Sequence, residues 1–374
     1  MKAIFPLLAS LPLVLALQAA PAAEPMANPQ SLALVEQLGL QEADTPSRDY
    51  ATWARPRKVA VLLPASWGAG RETLLAQVRA AAGGAEVVAF DGTSLEVLAD
   101  ADVVLGVCSP DVLEAAPRLR WLHSYSVGVE RCTRFDGIDR HDFVLTNNQR
   151  VYGPDIAEHA IALMLALSRN LGAYGRAQRQ GQWLEDAPQS MNVEGRTLLV
   201  LGLGGIGTEI ARRAHALGMR VVATRNSSRE GPDFVEQVGL PEEASTLAAK
   251  ADFIVNALPL TDDTAGRIDR AFFAAAKPGA RYISVGRGGT TDTPGLVDAL
   301  QSGQIGGAGL DVTEPEPLPA GHPLWTMENV LITPHVAGRT DEARERAMVI
   351  AIENLRRYSL GEPLLSVVDL ERGY

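Results

Sequence analysis

The sequence predicts an α/β fold in two domains, one of them a Rossmann-type doubly wound parallel sheet. Three observations lead there. The 374 residues are enough for about two domains at ~150 residues each. From Lys58 onward, short apolar runs alternate with helical stretches, the pattern of a parallel sheet covered on both faces. One of the strand-to-helix turns reads G-x-G-x-x-G, the turn on which dinucleotides are bound.

The elements follow in chain order. Lys2 precedes an apolar run from Ala3 to Leu17, and Ala19-Ala20-Pro21-Ala22-Ala23 follows. Ala20-Pro21-Ala22 fits an A-x-A cleavage site, so residues 1–23 have the layout of a secretory signal peptide and predict export, to a periplasm. The run is short for a membrane span, which needs roughly 20 apolar residues, and Pro6 and Pro12 interrupt it. The alternative is a start at Met26 and a cytoplasmic protein. Residues 1–23 hold no twin-arginine pair to mark export of a folded, cofactor-loaded chain. Residues 24–56 read as a linker with one short helix carrying Leu32, Val35 and Leu38 on one face.

Strands are then predicted at 58–63, 86–90, 103–108, 120–126 and 143–146, with a helix over 71–82. PDIAEHAIALMLALSRNL predicts one long apolar helix over 154–171, with Pro154 in its first turn. A second strand–helix series has six strands, at 197–202, 219–224, 253–258, 281–285, 308–312 and 330–333. Six strands suit a doubly wound dinucleotide domain. A last helix, 341–358, is placed to return to the first domain.

Composition narrows the function. A net charge of −11 with no dense Lys/Arg run argues against a nucleic-acid surface. No second segment reads as a membrane span, and no metal site is expected. Cys108 and Cys132 are the whole cysteine complement. Two are too few for a disulfide scaffold, and free buried thiols are expected; their spacing leaves pairing open.

Gly202-Leu203-Gly204-Gly205-Ile206-Gly207 is the glycine turn, with Ile210, Ala211, Ala214 and Leu217 on one face of the helix that follows. Its glycines allow close backbone approach to a pyrophosphate, and the helix N-terminus offers unpaired N–H groups. The strand after it ends in Ala223-Thr224-Arg225-Asn226-Ser227-Ser228-Arg229, without the carboxylate that normally meets the ribose 2′-OH. A cation at Arg225 suits a 2′-phosphate, so NAD(P) is expected as cofactor with a lean to NADP; a solvated loop is the competing reading. Arg287, Glu316 and His335 stand at or beyond the C-terminal ends of presumed parallel strands, where ligands bind in open α/β sheets. Singly, each reads equally well as a surface charge, a loop residue and a structural histidine.

GLGGIG, LPLTDDT, SVGRGG, GAGLDVTEPEPLP and NVLITPHVAG occur in that order, with LRWLHSYSVGVE and AEHAIALMLALSRNL upstream. In this set the chain resembles the D-isomer-specific 2-hydroxyacid dehydrogenases, from about residue 57 to the end. The resemblance implies a Rossmann-type domain, 152–338, inserted in a flavodoxin-like substrate domain made of 57–151 and 339–374. It implies hydride transfer between NAD(P) and a small D-2-hydroxy or 2-keto acid, of the glyoxylate or hydroxypyruvate type, in a homodimer built around the long helix. Residue by residue, Arg287 would hold the substrate carboxylate and polarise its carbonyl. His335 would be the acid/base and Glu316 its partner. Backbone N–H groups of Val127 and Gly128 would help bind the carboxylate. Asp311 would meet the nicotinamide carboxamide, and Pro259, Val285 and Gly338 would line the cofactor site with the glycine loop. Arg225 departs from the acidic residue of NAD-using relatives. Glu316 matches, whereas related formate dehydrogenases carry Gln, which argues against formate.

Two further readings use the same residues: a phosphoglycerate- or phosphite-type dehydrogenase, and a non-catalytic NAD(P)-sensing protein. Tyr125, Tyr152 and Trp325 are candidates for the pocket wall and equally for packing.

Overall fold

In the computed structural model, the described residues are 25–370 and 372, except 65–66, 69, 135–137, 139–141 and 187–189. The signal-like segment 1–23 lies outside them.

Helix α1 (Pro29–Leu38) starts on Asn28, whose side chain accepts from the Gln30 N–H at 3.0 Å, and stops at Gly39 in the left-handed region, φ +58°. The expected short helix is therefore present, but the rest of 24–56 is not a loose linker. Strand β1 (Glu42–Pro46) pairs antiparallel with β14 (Pro363–Leu365). This segment carries three acidic or proline positions and no apolar alternation, so only its distant partner makes it a strand.

Among the described residues two larger sheets carry the fold. Strands β2 (Lys58–Leu62), β3 (Glu86–Phe90), β4 (Val103–Gly106), β5 (Trp121–Ser124) and β6 (Val144–Asn147) run parallel in the order β3-β2-β4-β5-β6. That is the flavodoxin-like order 2-1-3-4-5. Helix α2 (Gly70–Ala81) covers one face with Leu75, Val78 and Ala81. Helix α11 (Asp341–Leu360), capped by Thr340 and ended at Gly361, returns from the far end of the chain to the same layer. Its Tyr358 stacks on the buried Trp121 with ring centroids 4.9 Å apart. Buried Glu353 on α11 accepts from Arg356, Arg357 and Ser31, and Arg357 reaches Glu42, so α1 and β1 are tied to this helix by charge as well as by apolar contact.

The second sheet holds β7 (Thr197–Leu201), β8 (Arg220–Thr224), β9 (Gln237–Gly239), β10 (Phe253–Asn256), β11 (Ala280–Ser284), β12 (Ile305–Leu310) and β13 (Val330–Ile332). They lie in the order β13-β12-β11-β10-β7-β8-β9, all parallel. This is the 3-2-1-4-5-6 order of the doubly wound fold with one strand added beyond the sixth. Edge strand β9, three residues long, is too short to leave a periodic signal. The long apolar helix is α5 (Gly153–Ser168), ended three residues earlier than expected; Asn170, at φ +55°, turns the chain into a further helix, α6 (Leu171–Arg179). Apolar on most of its faces, α5 buries Ala157, Ala160, Met164 and Leu167 against the strand layer and α7 (Gly205–Ala216).

Cys108 and Cys132 form a disulfide, contrary to the expected free thiols. Cys108 follows β4, and Cys132 lies on the short helix α4 (Glu130–Thr133) beyond the neighbouring strand β5. That adjacency brings their Cα atoms to 5.3 Å, inside the bridging range, although 24 residues of chain separate them.

Candidate active site

The glycine loop forms where β7 gives way to α7. Gly202 takes φ +92°. A Cβ on Gly207 would stand 2.1 Å from the Gly202 carbonyl oxygen, so only glycine lets α7 lie this close to the strand. Gly204 is different: a Cβ there meets nothing within 4 Å, so the backbone at the helix N-terminus is open to an approaching group. Gly205 lies against Arg150. Leu203 and Ile206 turn into the core and anchor the loop. The Leu203 N–H donates to Thr224 O at 2.8 Å, which sets the end of β8 beside the glycines. Arg225 follows directly. Its backbone N–H donates to Gly239 O, and its Nη1 donates to Glu230 O at 3.3 Å. Arg229 pairs with Glu243 at 2.5 Å. These residues fit a dinucleotide: an open cradle at a helix N-terminus, with the Arg225 cation just past the end of the neighbouring strand β8.

Buried Asn256 closes β10. Its Nδ2 donates to Thr290 Oγ1 at 2.8 Å and to Tyr282 Oη at 3.0 Å, and its Oδ1 accepts from the Leu258 N–H. The turn carrying Pro259 is thus fixed against the turn after β11. Val285 is buried there, its N–H on Asn256 O. Gly286 and Gly288 allow this turn to touch its neighbours: a Cβ would stand 2.5 Å from Leu258 O in the first case and 1.9 Å from Thr313 O in the second.

Arg287 leaves this turn toward the other sheet. Its Nη1 donates to Gly286 O at 2.8 Å, its Nε pairs with Glu130 Oε1, and its Nη2 lies 1.7 Å from where a Gly128 Cβ would be. Val127 is held from behind, its carbonyl accepting from Asn147 Nδ2 at 2.7 Å. Burial pushes the Glu130 carboxyl up. The Arg287 charge, with lesser help from its own backbone N–H and from His335, brings it below the usual carboxylate range.

His335 Nδ1 meets Glu316 Oε1 at 2.7 Å. The histidine has φ +52°, uncommon for a side-chain-bearing residue, and Asp311 holds it there. The His335 N–H donates to Asp311 O at 2.8 Å, and the Asp311 carboxylate accepts from Thr333 Oγ1 and from the N–H groups of Val336 and Ala337. Asp311 is 2 % exposed. Both carboxylate oxygens of Asp311 thus anchor the His335 turn. His159 adds to the anchor, its Nε2 2.9 Å from Thr333 Oγ1. Gly338 packs on Tyr152, whose hydroxyl donates to Tyr125 O at 2.8 Å. Trp325 stands apart, its Nε1 donating to Pro319 O. His123 also serves structure: fully buried against Thr146 and Asn148, it is pushed down to about 4 by burial and stays neutral.

The structure brings Arg287, Glu316, His335, Val127 and Gly128 to the C-terminal edges of the two sheets, with the glycine loop along the larger one. Sequence reading missed Glu130 and the anchoring work of Asn256, Thr333 and His159. The only signal for Glu130 was its place two residues beyond Gly128 in SVGVE.

Comparison with known proteins agrees. Residues 161–337 match the family model described as D-isomer specific 2-hydroxyacid dehydrogenase, NAD binding domain. The chain is 34 % identical over 286 residues to a glyoxylate reductase of Korarchaeum cryptofilum, covering 74 % of this chain and 85 % of that one. A D-isomer specific 2-hydroxyacid dehydrogenase from Xanthobacter autotrophicus, solved with NADPH and MES, superposes with a TM-score of 0.70 at 29 % identity, over 85 % of this chain and 100 % of that one. An NADPH-dependent glyoxylate/hydroxypyruvate reductase from Sinorhizobium meliloti, solved with NADP and sulfate, gives 0.71 at 29 % identity, over 85 % and 99 %. With the site, the two sheet orders and these relatives in agreement, the chain belongs to the D-isomer specific 2-hydroxyacid dehydrogenase family.

Proposed function

We propose that the protein reduces a small 2-keto acid of the glyoxylate or hydroxypyruvate type to the D-2-hydroxy acid, with NADPH preferred. The reaction class, NAD(P)-dependent oxidoreduction at a CH–OH carbon, is that of the family. Two observations carry the residue roles: His335 is paired with Glu316, and Arg287 is laid over Gly128, both just beyond C-terminal strand ends. In this reading residues 57–151 with 339–374 hold the substrate, and 152–338 hold the cofactor.

NADPH supplies the hydride. Arg287, with the Val127 and Gly128 N–H groups, orients the substrate carboxylate, and its charge stabilises the negative charge that develops on the carbonyl oxygen. With Nδ1 on Glu316, His335 has Nε2 left to deliver the proton as general acid, or to remove it in the oxidative direction. The glycine loop takes the pyrophosphate.

Arg225 supports the NADPH preference. A guanidinium donates charge-assisted bonds to a 2′-phosphate, and no carboxylate stands in Ala223–Arg229 to repel it. Of the two cations, Arg225 is the better placed, because Arg229 is already paired with Glu243. The test is kcat/KM with NADPH and NADH. Wild type should favour NADPH, and Arg225→Asp should shift the ratio toward NADH by roughly 10–100-fold, the worth of a hydrogen bond to a charged group. A wild type that favours NADH, or an unmoved ratio in the variant, defeats the preference.

The homodimer finds support in the apolar side chains that α6 and the chain after it leave in solvent: Leu171, Tyr174 and Trp183, the last 90 % exposed. Export finds support in the Cys108–Cys132 bridge, since disulfides persist in oxidising compartments. Among the described residues no helix is long and apolar enough to cross a membrane. Expressed in its own cell, the mature chain should begin near Ala23, fractionate outside the cytoplasm and react with a thiol reagent only after reduction. A cytosolic chain beginning at Met1 or Met26 ends this part of the proposal.

A further inference from the structure

A guanidinium on a flexible stem points a fork of donors only if something holds it. Arg287 is held on two sides. Nη1 is turned back to Gly286 O on its own turn, and Nε is taken by Glu130, which belongs to α4 on the smaller sheet's side of the cleft. What remains forward is Nη2, over Gly128, with the second carboxylate oxygen of Glu130, Oε2, beside it. We infer that Glu130 is a positioning residue for Arg287, clasping Nε across the cleft so that Nη2 is presented to the substrate carboxylate at Val127–Gly128. The inference rests on the reductase reading for its consequence, but not for the contact itself.

The setting suits a clasp. Both side chains are about three-quarters buried, which protects the pair from the solvent screening that weakens surface pairs. A second ion pair crosses from the same segment, Arg134 to Asp262 at 2.8 Å, but Asp262 is fully exposed and adds little. Glu130 is itself firmly placed. The Cys132 N–H donates to Val129 O, and the disulfide pins Cys132 to the turn after β4.

Glu130→Ala should raise KM for glyoxylate and hydroxypyruvate by about 10-fold or more and lower kcat, as expected when a substrate-orienting group moves by a fraction of an ångström. The Kd for NADPH should stay within about two-fold, because the clasp lies away from the glycine loop, and inhibition by oxamate should weaken in parallel with KM. Glu130→Gln keeps an acceptor oxygen for Nε and should recover most of the loss. Unchanged KM and kcat in Glu130→Ala overturn the inference. So does a lower KM, which would make Glu130 a competitor for the guanidinium. Should the wild type reduce no 2-keto acid with either cofactor, the reductase reading falls on its own. The clasp is then judged by Tm shifts of Glu130→Ala, Arg287→Ala and the double variant: non-additive shifts uphold it, additive shifts overturn it.

Discussion

His335→Ala lowers kcat for 2-keto acid reduction by roughly 10²–10⁴-fold, the contribution of a general acid–base group, while the Kd for NADPH stays within about two-fold. The asymmetry follows from geometry. The imidazole meets Glu316 through Nδ1 at 2.7 Å, which leaves Nε2 for the substrate oxygen in the proposed reaction. The ring is not part of the glycine loop or of the β8 end, so cofactor affinity has no reason to move. Nor should the fold suffer. The turn is held by backbone groups of His335, Val336 and Ala337 on Asp311, and these survive truncation of the side chain. Alanine does give up some stability at φ +52°, where a side chain is strained in any case. Steady-state kinetics across pH and a cofactor titration read the two effects separately. Near wild-type turnover at every pH would remove His335 from the chemistry.

Gly207→Ala and Gly204→Ala should fail in opposite ways. A methyl on Gly207 would stand 2.1 Å from the Gly202 carbonyl oxygen and 3.0 Å from Val200. The obstacle is backbone, which cannot rotate aside, so α7 must lift from β7 and break contacts of Ile210, Ala211 and Ala214. Overpacking of this kind costs about 1–3 kcal/mol. Tm should fall by several degrees, and cofactor binding should be lost with the loop. Gly204 has φ −91° and ψ −157°, and its methyl would meet nothing within 4 Å. Gly204→Ala should therefore keep the wild-type Tm to within about a degree. Its Kd for NADPH should rise more than about 10-fold, because the methyl occupies the approach of the pyrophosphate to the helix N-terminus. Thermal melts beside cofactor titrations decide it. A Gly204→Ala protein that binds NADPH as well as wild type would show that the loop does not cradle a phosphate.

Much of the site was legible because its signals are local. GLGGIG carries its geometry in its own backbone: a turn at Gly202, an open approach at Gly204, a contact at Gly207. The apolar runs at 58–62 or 197–201 need no partner to be read as buried strands. Arg287, Glu316 and His335 were visible as polar residues just past such runs. What the local signals could not carry is which residue a side chain finds across space. Glu130 meets Arg287 over 157 residues of chain, and nothing in VGVER announces it. The cysteines read as free thiols because adjacency of β4 and β5, not spacing, brings them together.

The sequence by itself determined the two strand–helix series, the phosphate-binding turn and the identity of the chemical groups, since apolar periodicity and glycine conformation act over a few residues. Only the tertiary structure decided the order of the strands, the pairing of β1 with β14, the anchoring of the His335 turn on buried Asp311 and the clasp on Arg287. Each of these depends on burial and charge supplied by a distant segment, and such energies exist only once the two sheets have met.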